Sequence, residues 1–306
     1  MARVVAYIGE GGHKRIGFTA MLGEWMILSV FKISVYQPII TFKRRLKSSV
    51  GWFIDFILPL RCSLCDRKVL DEQSLCAGCA KELCYMADPL CQICGVPFDV
   101  PMPKDSLCGA CLQALPLYTT ARSAVMYQGA GRDLALSLKH AKNFMAAPVM
   151  AKLMALSWQS VLAADRLDQL EGVGGAINRQ KDYGMVVIPV PLHPYRLFFR
   201  RFNQSALIAS YFAQSVDQTF LPNSLRRKKN TLTQGGLGRR DRARNVSQAF
   251  VVPRAQRHRI EGRKVILIDD VYTTGATVQS CTRALLQAGA QEVHVLTFAR
   301  VKSNGS

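Results

Sequence analysis

The sequence predicts an α/β protein built on a parallel sheet, preceded by a cysteine-rich segment of different architecture. Three observations carry this: four Cys-x2-Cys pairs inside 50 residues, a change after Cys111 to continuous apolar runs alternating with helical patterns, and a run of four aliphatic residues, two acids and a Thr/Gly turn at 265–277. At 306 residues and 49% hydrophobic, the chain is too long for a disulfide mini-protein and too apolar for a disordered polycation. Forty Lys and Arg against 21 Asp and Glu leave a formal charge of +19. Such an excess favours an anionic partner: nucleic acid, a phosphorylated small molecule or an acidic membrane surface. The stretch from Arg196 to Lys264 holds 16 of the cations and three acids, so it alone carries +13. A solvated basic face is the alternative reading of that stretch.

Residues 1–52 form an N-terminal extension of uncertain role. The apolar run Trp25 to Phe42 is interrupted by Lys32 and Pro38, and Val50 to Leu60 contains Asp55 and Pro59. Neither is an unbroken span of about 20 apolar residues, so no firm membrane insertion is expected. A weak interfacial helix and a start at Met21 or Met26 are the alternatives.

Residues 53–117 hold the pairs Cys62/Cys65, Cys76/Cys79, Cys91/Cys94 and Cys108/Cys111. Two thiolates on one tight turn grip one ion, and two such turns complete a tetrahedral zinc–sulfur site. Ten residues separate Cys65 from Cys76 and thirteen separate Cys94 from Cys108, so sequential pairing gives two zinc ribbons. The spacing is equally compatible with a cross-braced arrangement, first pair with third. A disulfide framework requires a secreted chain, and no clean cleavable signal peptide is recognisable. Up to two structural zinc ions are therefore expected, each supplying on the order of 10 kcal/mol of folding free energy. Cys84, unpaired between the ribbons, and Cys281, in a helical pattern, read as packing residues.

Residues 118–306 read as strands and helices in alternation. Ala121–Tyr127 is a strand, Gly131–His140 and Ala146–Ala163 are helices, and Glu171–Lys181 is a loop marked by its glycines. Met185–Val190 is an apolar strand, followed by a helix over Asn203–Gln214 with Asn203 as cap. Lys264–Asp269 is a buried strand, Ala276–Gln287 a helix stopped by Gly289, and Glu292–Phe298 the last strand.

The four buried strand residues Val265 to Ile268 deliver Asp269 and Asp270 to the carboxyl end of the sheet, where ligands of open α/β sheets bind. The turn Thr273, Thr274, Gly275, Ala276 and Thr277 then opens a helix, so free backbone amides and hydroxyls are placed to hold a phosphate monoester. Acids beside a phosphate cradle repel that phosphate unless they face something else, and a ribose cis-diol suits two carboxylates.

This gapless thirteen-residue run resembles the phosphoribosyl pyrophosphate (PRPP) motif of type I phosphoribosyltransferases. With the cysteine pairs upstream, the chain resembles the ComF family over roughly residues 53–300. The family's other motifs are present as Leu138-Lys139, Val190-Pro191-Leu192-His193, Phe202-Asn203-Gln204, Gln234, Arg244-Asn245-Val246 and Phe250. The chain departs at Arg200-Arg201-Phe202, where the family commonly has a glycine in place of Arg201. The resemblance implies a type I phosphoribosyltransferase fold in which Asp269 and Asp270 contact ribose hydroxyls and Thr273 to Thr277 bind the 5′-phosphate. It implies that Pro191 and Leu192 lie in a turn facing pyrophosphate, with His193 as a general base or pyrophosphate contact and Lys139 reaching a phosphate. Residues 226–246 would form a flap in which Gln234, Arg242 and Arg244 meet pyrophosphate. Mg2+ would accompany PRPP.

The implied function is a PRPP-binding, Mg2+-dependent phosphoribosyltransferase linked to DNA uptake (competence) or nucleotide salvage, cytoplasmic or membrane-associated during uptake. The rival is a non-catalytic competence factor that binds single-stranded DNA through Arg200, Arg201, Arg226, Arg227, Lys228 and Lys229, with a regulatory PRPP site. DNA-uptake proteins and a second copy of the chain are further candidate partners.

Overall fold

A computed structural model describes residues 60–71, 73–140, 143–171, 184–192, 202–228 and 249–302. The N-terminal extension and the expected site residues His193, Arg200, Arg201, Lys229, Gln234, Arg242 and Arg244 lie outside the described residues, as does most of the expected 171–181 loop. Strands β1 (Thr120–Met126), β2 (Val186–Pro189), β3 (Thr219–Phe220), β6 (Lys264–Tyr272) and β7 (Glu292–Arg300) make a five-stranded sheet in the order β1-β7-β6-β2-β3. Every pairing in it is parallel, as the continuous apolar strands predict. A separate antiparallel pair joins β4 (Arg226–Arg227) to β5 (Phe250–Val251).

Side-chain alternation along β6 decides which layer each face meets. Val265 and Leu267 point to one core with Val293 and Val295 of β7, and Ile266 and Ile268 to the other with Leu296 and Phe298. Helices α3 (Gly129–Lys139), α4 (Ala146–Glu171) and α5 (Gln204–Ser215) cover the Ile266/Ile268 face through Leu134, Met150, Met154, Ile208 and Phe212. Helix α6 (Ala276–Leu286) covers the opposite face with Val278, Cys281 and Leu285. The two short helices α1 (Ala77–Lys81) and α2 (Gly109–Gln113) each start at a cysteine, Cys76 and Cys108.

Several elements differ from expectation. Helix α4 runs on to Glu171, because nothing from Asp165 to Glu171 breaks a helix before Gly172. Strand β6 continues through both acids to Tyr272, held by the β7 ladder out to Arg300. The two-residue strands β3, β4 and β5 are too short to leave a periodic signal. Asn203 caps α5 as expected, its side chain accepting from the Ser205 amide at 3.1 Å.

Strand β1 is an edge, and the cysteine-rich segment covers it. The Ala121 amide donates to the Ile93 carbonyl at 2.7 Å, Met86 N–H to Ala124 at 3.0 Å and Met126 N–H to Cys84 at 2.8 Å. Among the described residues, no helix is long and apolar enough to cross a membrane.

Candidate functional site

The eight paired cysteines form two sets, Cys62/Cys65/Cys76/Cys79 and Cys91/Cys94/Cys108/Cys111, with the sulfurs of each set within 4.8 Å of one another. The pairing is sequential, and the cross-braced alternative is removed. Sulfurs on a tetrahedral zinc ion with Zn–S near 2.3 Å stand about 3.8 Å apart. Cys65 and Cys76 sulfurs are at 3.4 Å and Cys94 and Cys108 at 3.6 Å, so both sets fit zinc.

Local structure repeats between the sets. The residue after each second cysteine is left-handed, Asp66 at φ 59° and Gly95 at φ 68°. The Cys76 amide donates to the Cys62 sulfur at 3.4 Å, and the Cys108 amide to the Cys91 sulfur at 3.3 Å. Burial opposes ionisation of Cys62 and Cys91, but such N–H donors outweigh it and bring the thiols down to about 6 and about 7. Burial and the neighbouring sulfurs push Cys79 and Cys111 up. Four thiolates therefore coexist only around a cation, which matches a metal site. Cys84 belongs to neither set, and Cys281 is buried in the core, as their readings as packing residues require.

The second candidate site lies where β2 ends beside Ile268 of β6 and β6 continues alone on that side through the two acids. The Val190 amide donates to the Ile268 carbonyl at 2.8 Å, which sets the turn carrying Pro191 and Leu192 next to the acids. The two acids are unequal. Asp269 Oδ1 accepts from the Ser205 hydroxyl at 2.8 Å and from the Asp270 amide at 3.0 Å. Burial first, and the Asp270 charge second, push the Asp269 carboxyl up to about 8. Asp270 Oδ1 accepts from the Val271 amide at 2.8 Å. Ser205 is a site residue that the sequence reading missed; its signal is its place two residues after the cap Asn203, whose side-chain Nδ2 donates to the Val190 carbonyl at 3.0 Å.

After β6, Thr273 and Thr274 are exposed, Gly275 is buried, and α6 starts at Ala276 with Thr277 in its first turn. Gly275 is at φ 77°, and a Cβ there would fall 2.3 Å from the Tyr272 hydroxyl, so only glycine fits. The amides of this turn open a helix N-terminus toward solvent, an arrangement suited to an anion. Tyr272 is buried, its hydroxyl 2.8 Å from that of Tyr118. Lys139 ends α3. The segment just after it approaches the site from the α5 side, since the Phe144 ring meets Phe202 at 5.0 Å, one residue before the cap.

Arg226, Arg227 and Lys228 line a groove of about 480 Å³ with Arg254 and Arg257 of a 3-10 helix. The last two complete a five-cation cluster that the sequence reading left unassigned, because β4 and residue 254 meet only through the β4–β5 pairing. The Arg227 guanidinium lies 5.4 Å over the Phe250 ring.

Comparison with known proteins agrees with this layout. The double zinc ribbon domain family matches residues 53–112, and the phosphoribosyl transferase domain family matches residues 225–305. Competence protein F of Haemophilus influenzae is 29% identical over 241 residues, covering 78% of this chain and 96% of its own. DNA utilization protein YhgH of Salmonella typhimurium is 30% identical over 244 residues, covering 79% and 98%. Competence protein ComFC of Bacillus subtilis is 23% identical over 260 residues, covering 81% and 97%. With a double zinc ribbon and a phosphoribosyltransferase domain in one chain, and relatives matched over nearly their whole length, this protein belongs to the ComF family.

Proposed function

We propose that the end of β6 binds PRPP and that the protein acts as a phosphoribosyltransferase. One observation carries the reading: an acidic pair at the carboxyl edge of a parallel sheet runs directly into an open helix N-terminus whose glycine is sterically required. The turn from Thr273 to Thr277 holds the 5′-phosphate through its amides and hydroxyls. Asp270 takes the ribose hydroxyls, while Asp269, drawn onto Ser205 of α5, fixes the pair's position against the helix layer. The turn at Val190 to Leu192 faces the pyrophosphate, with His193 and the flap residues Gln234, Arg242 and Arg244 supplying further contacts. Mg2+ suits the hard carboxylate oxygens and, bound with PRPP, would neutralise charge on the leaving pyrophosphate. The chain's own contribution is then position and leaving-group stabilisation.

Names of the relatives, competence protein and DNA utilization protein, support a link to DNA handling. The groove of five cations supports a second, compatible reading in which single-stranded DNA lies along Arg226 to Lys228, Arg254 and Arg257. Calorimetric titration tests both. PRPP should bind only with Mg2+ present and not to Asp270→Asn; equal binding by that variant contradicts the assigned site. DNA affinity should fall steeply with salt, and absence of binding at low salt removes the second reading.

A further inference from the structure

The four sulfurs of the second ribbon are all buried, in the same core as Val265, Leu267, Val293 and Val295. Loaded with zinc, this set carries 2 − 4 = −2 inside the apolar layer, and such a charge requires a cation and hydrogen-bond donors beside it. One buried cation stands there. Arg300, 7% exposed at the end of β7, donates through Nη1 to the Cys94 carbonyl at 2.6 Å and sets Nη2 3.8 Å from the Cys94 sulfur. Among the described residues, no carboxylate pairs with Arg300. Its guanidinium carbon lies 4.2 Å from the centroid of the Tyr272 ring. Tyr272 in turn bonds Tyr118, and its hydroxyl occupies the space beneath Gly275 where a side chain would be. A continuous row of contacts thus runs from a cysteine sulfur to the middle of the phosphate turn.

We infer that Arg300 is a positioning residue: it balances the charge of the second zinc–thiolate centre and, through Tyr272, props the turn at Gly275 in its anion-binding form. Metal in the second ribbon therefore sets the turn, and metal in the first ribbon does not. The turn's ligand rests on the phosphoribosyl reading above; the zinc and backbone links do not.

The test uses the full chain loaded with zinc, with Arg300→Met, Arg300→Lys and Tyr272→Phe. Zinc release to a chelator should occur in two phases, one per ribbon. Losing a charge-assisted donor at a buried sulfur should speed the slower phase about tenfold in Arg300→Met and leave the faster phase unchanged. Arg300→Lys, which keeps the charge and loses the planar fork, should release zinc at an intermediate rate. Hydrogen exchange at the amides of Thr274 to Val278, read without ligand, should rise in Arg300→Met and also in Tyr272→Phe, while Tyr272→Phe leaves zinc release as it was. PRPP affinity should follow the exchange. Should Arg300→Met not fold, Arg300→Lys carries the same comparison. Unchanged slow-phase release in the arginine variants, or unchanged exchange of the turn in all three, overturns the inference. A wild-type protein that binds no PRPP while showing the zinc and exchange effects overturns only the phosphoribosyl reading.

Discussion

The two ribbons share one local design and live in different surroundings. Each has a left-handed residue after its second cysteine, an amide donating to its first sulfur and a short helix starting on its third cysteine. In the first ribbon Cys65 is exposed, and contact with the rest of the unit runs through Leu64, Leu75, the Asn143 side-chain Nδ2 donating to the Ser63 carbonyl at 3.0 Å, and the Lys152–Asp71 pair at 2.7 Å. In the second, all four cysteines belong to the main core. Water screens the first centre's charge, whereas the second needs Arg300. The difference shows that a repeated motif fixes a metal's ligands but leaves its structural weight to the residues packed around it.

That contrast can be broken most forcefully at the ligands. Cys94→Ser should leave no stably folded protein, since a zinc site is worth on the order of 10 kcal/mol and a whole domain only about 5–15. Cys65→Ser should stay folded with one zinc per chain in place of two, as metal analysis and circular dichroism would report; equal loss of structure in both variants contradicts the asymmetry. Next come the left-handed residues. A Cβ at Gly95 would lie 2.3 Å from the Ala121 carbonyl oxygen, so Gly95→Ala should destabilise by about 2–4 kcal/mol in urea unfolding. Asp66→Gly, which relieves a strained φ, should change stability by less than about 1 kcal/mol.

A smaller effect concerns Asp269. Its folded carboxyl sits near 8, above the unfolded value, so the native state keeps a proton that the unfolded chain releases. The sign follows: native stability is fullest below the unfolded pKa and declines as pH rises toward 8. Asp269→Asn should therefore gain about 1–2 kcal/mol at pH 8 and almost nothing at pH 4, measured by urea midpoints. Smallest of all, Lys152→Ala removes a half-exposed ion pair and should cost under about 1 kcal/mol, a loss that added salt reproduces in the wild type.

Much of the fold and site could be read from residues alone because their signals are local. Cysteine spacing, the aliphatic run at 265–268 and the turn at 273–277 each declare themselves within a few positions. What escaped was relational. Ser205 on Asp269 joins residues 64 apart in sequence, and Arg300 on Cys94 joins residues 206 apart. Arg300 was also hidden because the last strand reads as ending at Phe298, two residues short. The place of Tyr272 is relational too: it is buried, with its hydroxyl in the space beneath Gly275. Sequential pairing of the cysteines became decidable only once sulfur distances were known.

The turn after β6 is the proposed seat of the phosphoribosyl ligand. Hydrogen exchange followed peptide by peptide, with and without PRPP and Mg2+, tests it most directly. Exchange should slow at the amides of Thr273 to Val278, an effect absent when Mg2+ is withheld and absent in Asp270→Asn. Slowing confined to other segments, with the turn from Thr273 to Val278 unchanged at saturating PRPP and Mg2+, would contradict it.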